Sequence, residues 1–422
     1  MLFDFLAQRD FLVADKADIY EKLFGKPFDD ARMRQTIHFL RRAAEDFLLH
    51  QYRERTHDRK LDLARIYRAK GLHQLSERLL QRAYNDWSAQ AHRDFESLTL
   101  HYQLTYEKYT MEVIGKRTGG DIQDSIASFE NAFLVNRLRL ACMAISRNRA
   151  FDRAYDGGLL VPLLPHLENN PALPPTIRVY YLLYQSFAEP EADWFPQFQE
   201  HFAQHQTRFT AENLRQLYLL SINFCIAKIN RGDAIYRRIT LELYQAALRQ
   251  NLLVENGQFS RFAFANIVAL ALAAEQFDWT IQFINQYQKY LPEEHRDNLV
   301  NLNLARLHYQ RGDYERAQRA LPAADHADVM TNLYSRTMLT KIYYERKSWE
   351  ALESHLESSL AYLRRHRTDV QKTTMYKNLF SCVRQLLKLT PYRKAARLRL
   401  ERRIETLPQL AEREWLRGLL NR

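Results

Sequence analysis

Glycine and proline are scarce in this chain of 422 residues, at 11 and 12 copies. Collagen-like and low-complexity architectures need far more of both, and a chain so poor in helix breakers can run through long helical stretches. Cysteine is scarcer still. Cys142, Cys225 and Cys382 lie far apart and form no Cys-x-x-Cys pair, so no disulfide framework is expected and a reducing compartment fits. Long apolar runs are missing too: the longest, Ile267 to Ala274, is well short of the roughly 20 residues a membrane helix needs. The opening Met-Leu-Phe-Asp-Phe-Leu lacks the basic stretch, apolar core and small-residue cleavage site of an export signal. A cytoplasmic chain with no membrane partner is the expectation.

Signatures of chemistry are equally sparse. The pairs Gly119-Gly120 and Gly157-Gly158 are isolated and read as turns, not as a phosphate-cradling loop. No Gly-x-Ser-x-Gly element is present, so a hydrolase of that class is not indicated. His201 and His205 stand four apart, but Phe202 fills the position where a metalloprotease places its Glu, and no third ligand has matching spacing. They read as solvent-facing side chains. No catalytic residue, metal or cofactor is expected.

What the chain does have is aromatic residues, charge and a repeat. Its 24 Tyr and 23 Phe suit the spaces between packed helices. Lys and Arg exceed Asp and Glu by 61 to 50, for a formal charge of +11. That excess admits acidic proteins and nucleic acid as partners, although acids are interleaved nearly everywhere.

Leu304, Gly312, Tyr314 and Ala317 are answered by Leu339, Lys347, Trp349 and Leu352, each 35 positions on. In the first copy Leu304, Ala305 and Leu307 line one side of a helix that Gly312 ends, and Tyr314, Ala317 and Leu321 face inward from the next. Gly312 supplies the left-handed conformation that closes the first helix before Asp313 begins the second. One such hairpin leaves an apolar face in water, so neighbouring hairpins must cover it. The same offsets recur at Leu63, Ala64, Tyr67, Gly71, Ser76 and Leu80. Weaker copies surround Glu275-Gln276-Phe277 and the turn Asn230 to Asp233. Arg-Gly-Asp occurs at 231 to 233 and again at 311 to 313, where it is the repeat turn itself.

This pattern resembles the tetratricopeptide repeat, most clearly over residues 299 to 360, with Lys347 and Leu352 departing from the usual Gly and small residue. The resemblance implies an all-α, right-handed α-solenoid of TPR-like hairpins. It also implies a partner-binding concave groove, lined by residues two and five places after the repeat Leu. Those residues are Arg306 and Tyr309, Lys341 and Tyr344, and Arg65 and Arg68 in the N-terminal copy. Base-and-aromatic pairs suit an acidic protein or peptide.

The expected organisation is an N-terminal helical cap over 1–60, helical hairpins with the first TPR-like unit over 61–160, and a C-terminal solenoid over 176–422. Val161 to Pro175 carries five prolines and is expected to be a loop, and Thr118 to Asp121 a lesser break. Residues 15–50 combine a short apolar helix, Gly25-Lys26-Pro27, a cap at Asp29 or Asp30, and a helix bearing Arg32, Arg34, Arg41 and Arg42. This stretch resembles a winged helix-turn-helix without its wing, which implies that those arginines contact nucleic acid. A plain hairpin capping the stack is the reading we favour. The basic segments Leu363 to Arg367 and Tyr392 to Arg403 read as charged outer faces, the second on a capping helix that packs through Leu398, Leu400 and Ile404. The sequence thus points to a non-catalytic interaction scaffold, with a nucleic-acid-binding regulator as the alternative.

Overall fold

A computed structural model describes residues 16–55, 58–114, 120–150, 156–321, 329–366, 370–389 and 394–421. Among them are twenty α-helices and a single pair of two-residue strands, so the all-α class holds. No helix among the described residues is long and apolar enough to cross a membrane. Thr118, Gly119, Arg367, Tyr392 and Arg393 lie outside the described residues. The chain divides into two compact units, Met1–Gln216 and Leu217–Arg422.

The first unit opens with α1 (Lys16–Phe24) and α2 (Asp30–Arg55), pinned by Ile19, Tyr20 and Met33 with Leu23, Phe24 and Leu40 around them. Asp29 is the cap, accepting the Arg32 N–H at 3.1 Å. Beyond Leu40, residues 41–51 of α2 are exposed on every side. Next come α3 (Asp58–Ala69), α4 (His73–Ala89), α5 (Phe95–Val113) and α6 (Gln123–Ala150); α3 packs on α4, α4 on α5 and α5 on α6, whereas α2 barely touches α3. Then follow α7 (Leu160–Asn169), α8 (Pro175–Ala188) and α9 (Trp194–His205), with α8 lying on both α6 and α9.

The loop expected over Val161 to Pro175 is a correction. Helix α7 runs through Pro162 and Pro165, and only the stretch from Asn170 to Pro174 is irregular. Pro162 sits in the first turn, where backbone donors have no intrahelical partner to lose. Pro165 does forfeit one bond, offset by complete burial of Leu160 and Leu167, and Pro175 starts α8 at the position proline favours.

Helix α10 (Ala211–Asn230) runs across the division into the second unit. There follow α11 (Ile235–Arg249), α12 (Arg261–Ala273), α13 (Phe277–Tyr287), α14 (Glu293–Gln310), α15 (Tyr314–Ala320), α16 (Val329–Glu345), α17 (Trp349–Arg365), α18 (Val370–Leu387), α19 (Lys394–Thr406) and α20 (Arg413–Asn421). Before α12 the strands Val254–Glu255 and Gln258–Phe259 pair antiparallel around Asn256 and Gly257, both at positive φ, as a two-residue hairpin turn requires. Within this unit α14 packs on α12 and α16, and α13, α15 and α17 each pack on the helix that follows. Hairpins are therefore stacked in series.

Five of the turns between successive helices are built alike. At Gly71, Gly232, Glu275, Gly312 and Lys347 the backbone takes positive φ. That residue's N–H bonds to the carbonyl three back, and the next N–H to the carbonyl five back, at 2.8–3.1 Å in all five. This is the Schellman closure of a helix end. Asn251 closes α11 in the same way. Seven residues before the five turns stand Ala64, Cys225, Val268, Ala305 and Thr340. Five residues after four of them stand Ser76, Thr280, Ala317 and Leu352, and all nine side chains are wholly buried. Ser76 Oγ donates to the Ala64 carbonyl at 2.7 Å, which shows how closely the two helices of a hairpin approach.

The C-terminal core gathers Leu352, Leu356, Leu379, Phe380, Leu400, Ile404 and Leu416. Leu400 and Ile404 pack as expected, but Leu398 faces solvent, because it lies on the opposite side of α19 from the residues that touch α18 and α20.

Candidate functional site

The four groove residues of the second unit come together, and they meet a part of the chain that the repeat did not predict. Lys341 projects from α16. Its ammonium donates to Glu412 Oε2 at 2.8 Å and stands 5.0 Å from the ring centre of Tyr309 and 5.6 Å from that of Trp415. Tyr344, one turn on, meets Trp415 edge-on at 5.8 Å and Trp349 at 5.5 Å. A carboxylate is thus held by an ammonium between aromatic walls, the charge-assisted geometry that the base-and-aromatic pairing suggested. Here the carboxylate belongs to this chain.

Arg306 lies beside this cluster, its guanidinium 5.4 Å from the ring of Tyr334 and Nη1 3.5 Å from Asn303 Oδ1. Tyr334 meets the buried Tyr376 edge-on and is itself well exposed. Burial pulls the Arg306 guanidinium below its ordinary pKa, opposed by Tyr334 and Glu412. Burial likewise drives the Tyr309 and Tyr376 hydroxyls upward, with nearby acidic groups and tyrosines adding to the effect. Both phenols therefore stay neutral and act as apolar walls with a polar tip.

The N-terminal pair is used differently. In the first unit Arg65 Nε lies 3.5 Å from Glu107 Oε2 and Arg68 pairs with Oε1 of the same carboxylate. Glu107 is buried, and two guanidinium groups from α3 neutralise it from one side. The pairing ties α3 to α5 and engages both arginines within the chain.

On α2, Arg34 pairs with Asp30 at 3.0 Å and Arg41 with Glu45 at 3.2 Å, both on the surface. Arg32 lies over the Phe24 ring at 4.8 Å, and Arg42 is exposed. No strand follows α2 among the described residues before Val254.

His201 and His205 are half-buried, which corrects their reading as solvent-facing. Their rings meet at 4.5 Å and His201 Nε2 lies 3.2 Å from the Pro175 carbonyl. Burial lowers the His201 pKa and the neighbouring His205 lowers it further. No group of three or more His, Cys, Asp or Glu side chains is placed to hold a metal among the described residues.

The Lys341 cluster draws on Glu412 and Trp415, which sequence reading missed. Glu412 lies 71 positions from Lys341, so no local spacing signals the contact. Glu412 also holds φ at +54°, an uncommon conformation for a residue with a Cβ. No family model and no curated protein matches this chain.

Proposed function

We propose that this chain is a non-catalytic scaffold, a right-handed α-solenoid of TPR-like hairpins that holds an acidic protein or peptide on the first-helix face of its second unit. The observation that carries this reading is the grip of Lys341 on the Glu412 carboxylate between Tyr309 and Trp415. The same face continues through the largely buried Arg306 to the ring of Tyr334, which is exposed. A carboxylate-rich segment carrying an aromatic residue matches this chemistry.

The test is fluorescence anisotropy with a labelled Glu- and Trp-containing peptide against the full chain, beside a Lys-rich control. Binding of the acidic peptide alone is expected, weakening as salt rises. Arg306→Glu and Lys341→Glu should each weaken it about tenfold or more, the scale of losing a charge-assisted contact. Because Lys341→Glu also breaks the pair with Glu412, Tyr334→Ala serves as the variant that leaves that pair intact, and each melting curve is recorded. Absence of binding, or binding indifferent to Arg306→Glu and Tyr334→Ala, overturns the proposal.

A nucleic-acid-binding regulator is the second reading, favoured by the exposure of Arg34, Arg41 and Arg42 on α2. A gel shift with random duplex that falls steeply with salt and is lost in Arg41→Ala/Arg42→Ala would establish it.

A further inference from the structure

Helix α6 carries two unlike faces. One is buried: Ser125, Ser128, Ala132, Val135, Leu138 and Cys142 are mostly small residues that let α5 and α8 approach, with Ser128 Oγ 2.7 Å from Thr105 Oγ1. The other face is apolar and open. Ile122, Ile126, Phe129, Phe133, Leu140 and Met143 are all exposed, Phe129 by 51% and Leu140 by 47%. From Ile122 they fall at alternating steps of four and three, with Asn136 filling the position between Phe133 and Leu140. This is the heptad spacing of a seam that packs on another helix. Tyr106 of α5, 47% exposed, extends the patch, and Tyr102 braces Phe129 edge-on at 5.1 Å.

Soluble chains rarely leave a contiguous patch of this kind uncovered unless it meets a partner. We infer that α6 is the contact surface of a homodimer, packing antiparallel against α6 of a second copy about a two-fold axis.

Three observations select a second copy. The stripe is self-complementary when reversed. Ile126 then falls opposite Met143 of the second copy, Phe129 opposite its Leu140, and Phe133 opposite its Asn136, with the same pairs repeated across the axis, as an isologous interface requires. The flanking charges match in that orientation: Glu130 runs alongside Arg137 of the second copy, twice over, the Arg137 guanidinium also donating to the Gly157 carbonyl of its own chain. The area is also right. The exposed fractions of the six stripe residues amount to about two and a half whole side chains, or roughly 500 Å² of apolar surface at ~200 Å² per large side chain. A standard interface buries about 800 Å² per partner, of which roughly 60% is apolar.

This inference is independent of the groove in the second unit. The test is sedimentation equilibrium of the full chain over a concentration series. A dimer is expected for the wild type. Phe129→Asp and Leu140→Lys, both at exposed positions that leave the core untouched, should each raise the dimer dissociation constant roughly thirtyfold or more, the scale of an interface hot spot.

Orientation is read by cross-linking. All three native cysteines are buried, so an added one is selective. Phe129→Cys mixed with Leu140→Cys should form a disulfide under mild oxidation, whereas Phe129→Cys alone should not, its two sulfurs lying about 16 Å apart along the antiparallel axis at 1.5 Å per residue. A wild type that stays monomeric, or a dimer indifferent to both charged variants, overturns the inference. Efficient cross-linking of Phe129→Cys to itself overturns the antiparallel arrangement.

Discussion

The carboxylate of Asp94 accepts a hydrogen bond of 2.9 Å from the backbone N–H of Thr210, 116 residues further along the chain. The same buried side chain caps α5 through the Ser97 N–H at 3.2 Å and accepts from Asn213 Nδ2 at 3.2 Å. One carboxylate thus starts one helix and anchors the entry to another.

Asp94→Ala is therefore expected to cost about 2–4 kcal/mol, from the lost cap and from buried donors left without an acceptor. Asp94→Asn keeps one acceptor oxygen and should cost less than half as much. Urea denaturation of both variants checks the order. Equal midpoints would show that the Asp94 contacts contribute nothing.

The turns give a second prediction with opposite signs at equivalent places. Lys347 and Glu275 hold φ near +55°, a strain that glycine does not carry. Lys347→Gly and Glu275→Gly should each stabilise the chain by about 0.5–1 kcal/mol after the entropy of glycine is counted. At Gly312 an added Cβ would meet no atom within 4 Å, yet Gly312→Ala should cost about 1–2 kcal/mol through backbone strain alone. Thermal melts of the three variants read the signs directly.

Acid should weaken the fold through its buried histidines. Burial lowers the pKa of His101, His201, His308 and His355. His101 lies flat on Trp87 at 3.8 Å, and His355 Nε2 sits 2.9 Å from the Arg336 carbonyl. A group depressed in the folded state contributes stability that is complete above its unfolded value, near 6.5, and is lost as pH falls from there toward the folded value. Denaturant midpoints should be flat from about pH 8 to 7 and then fall toward pH 5. His101→Gln should flatten part of that slope. A midpoint that rises on acidification contradicts it.

Thiol chemistry should be silent until unfolding. Cys142, Cys225 and Cys382 are buried, and burial pushes the Cys225 thiol up to about 12 and the other two upward as well. Since the thiolate is the reactive form, an aromatic disulfide reagent at mildly alkaline pH should label none in the native chain and three in denaturant. Fast labelling of any one would show a local opening.

The hairpins were legible where the turn chemistry was orthodox. Gly71, Gly232 and Gly312 announced their turns, and the burial of Ala64, Ser76, Ala305 and Ala317 followed from the same offsets. Lys347 read as a departure from the pattern, yet its backbone closes the helix as Gly312 does, because main-chain bonds outweigh the small penalty at one residue. Helix α7 was hidden by its prolines, whose cost depends on position within the helix. The stripe on α6 was masked for a different reason: apolar residues occupy both faces of that helix, so no single period stands out until burial separates them. Arg306, Tyr309, Lys341 and Tyr344 lie near one another in the second unit, but Glu412 and Trp415 join them from a distance that only the folded chain reveals.

The six closures share one further property: each draws only on backbone N–H and carbonyl groups. Side chains along the turns can therefore exchange charge for polarity, and even glycine for lysine at the cost of local backbone strain alone, while the main-chain closure of the hairpin is kept. The rim of the stack can diversify over time, acquiring or losing recognition features, while the spacing of the helices beneath it stays constant.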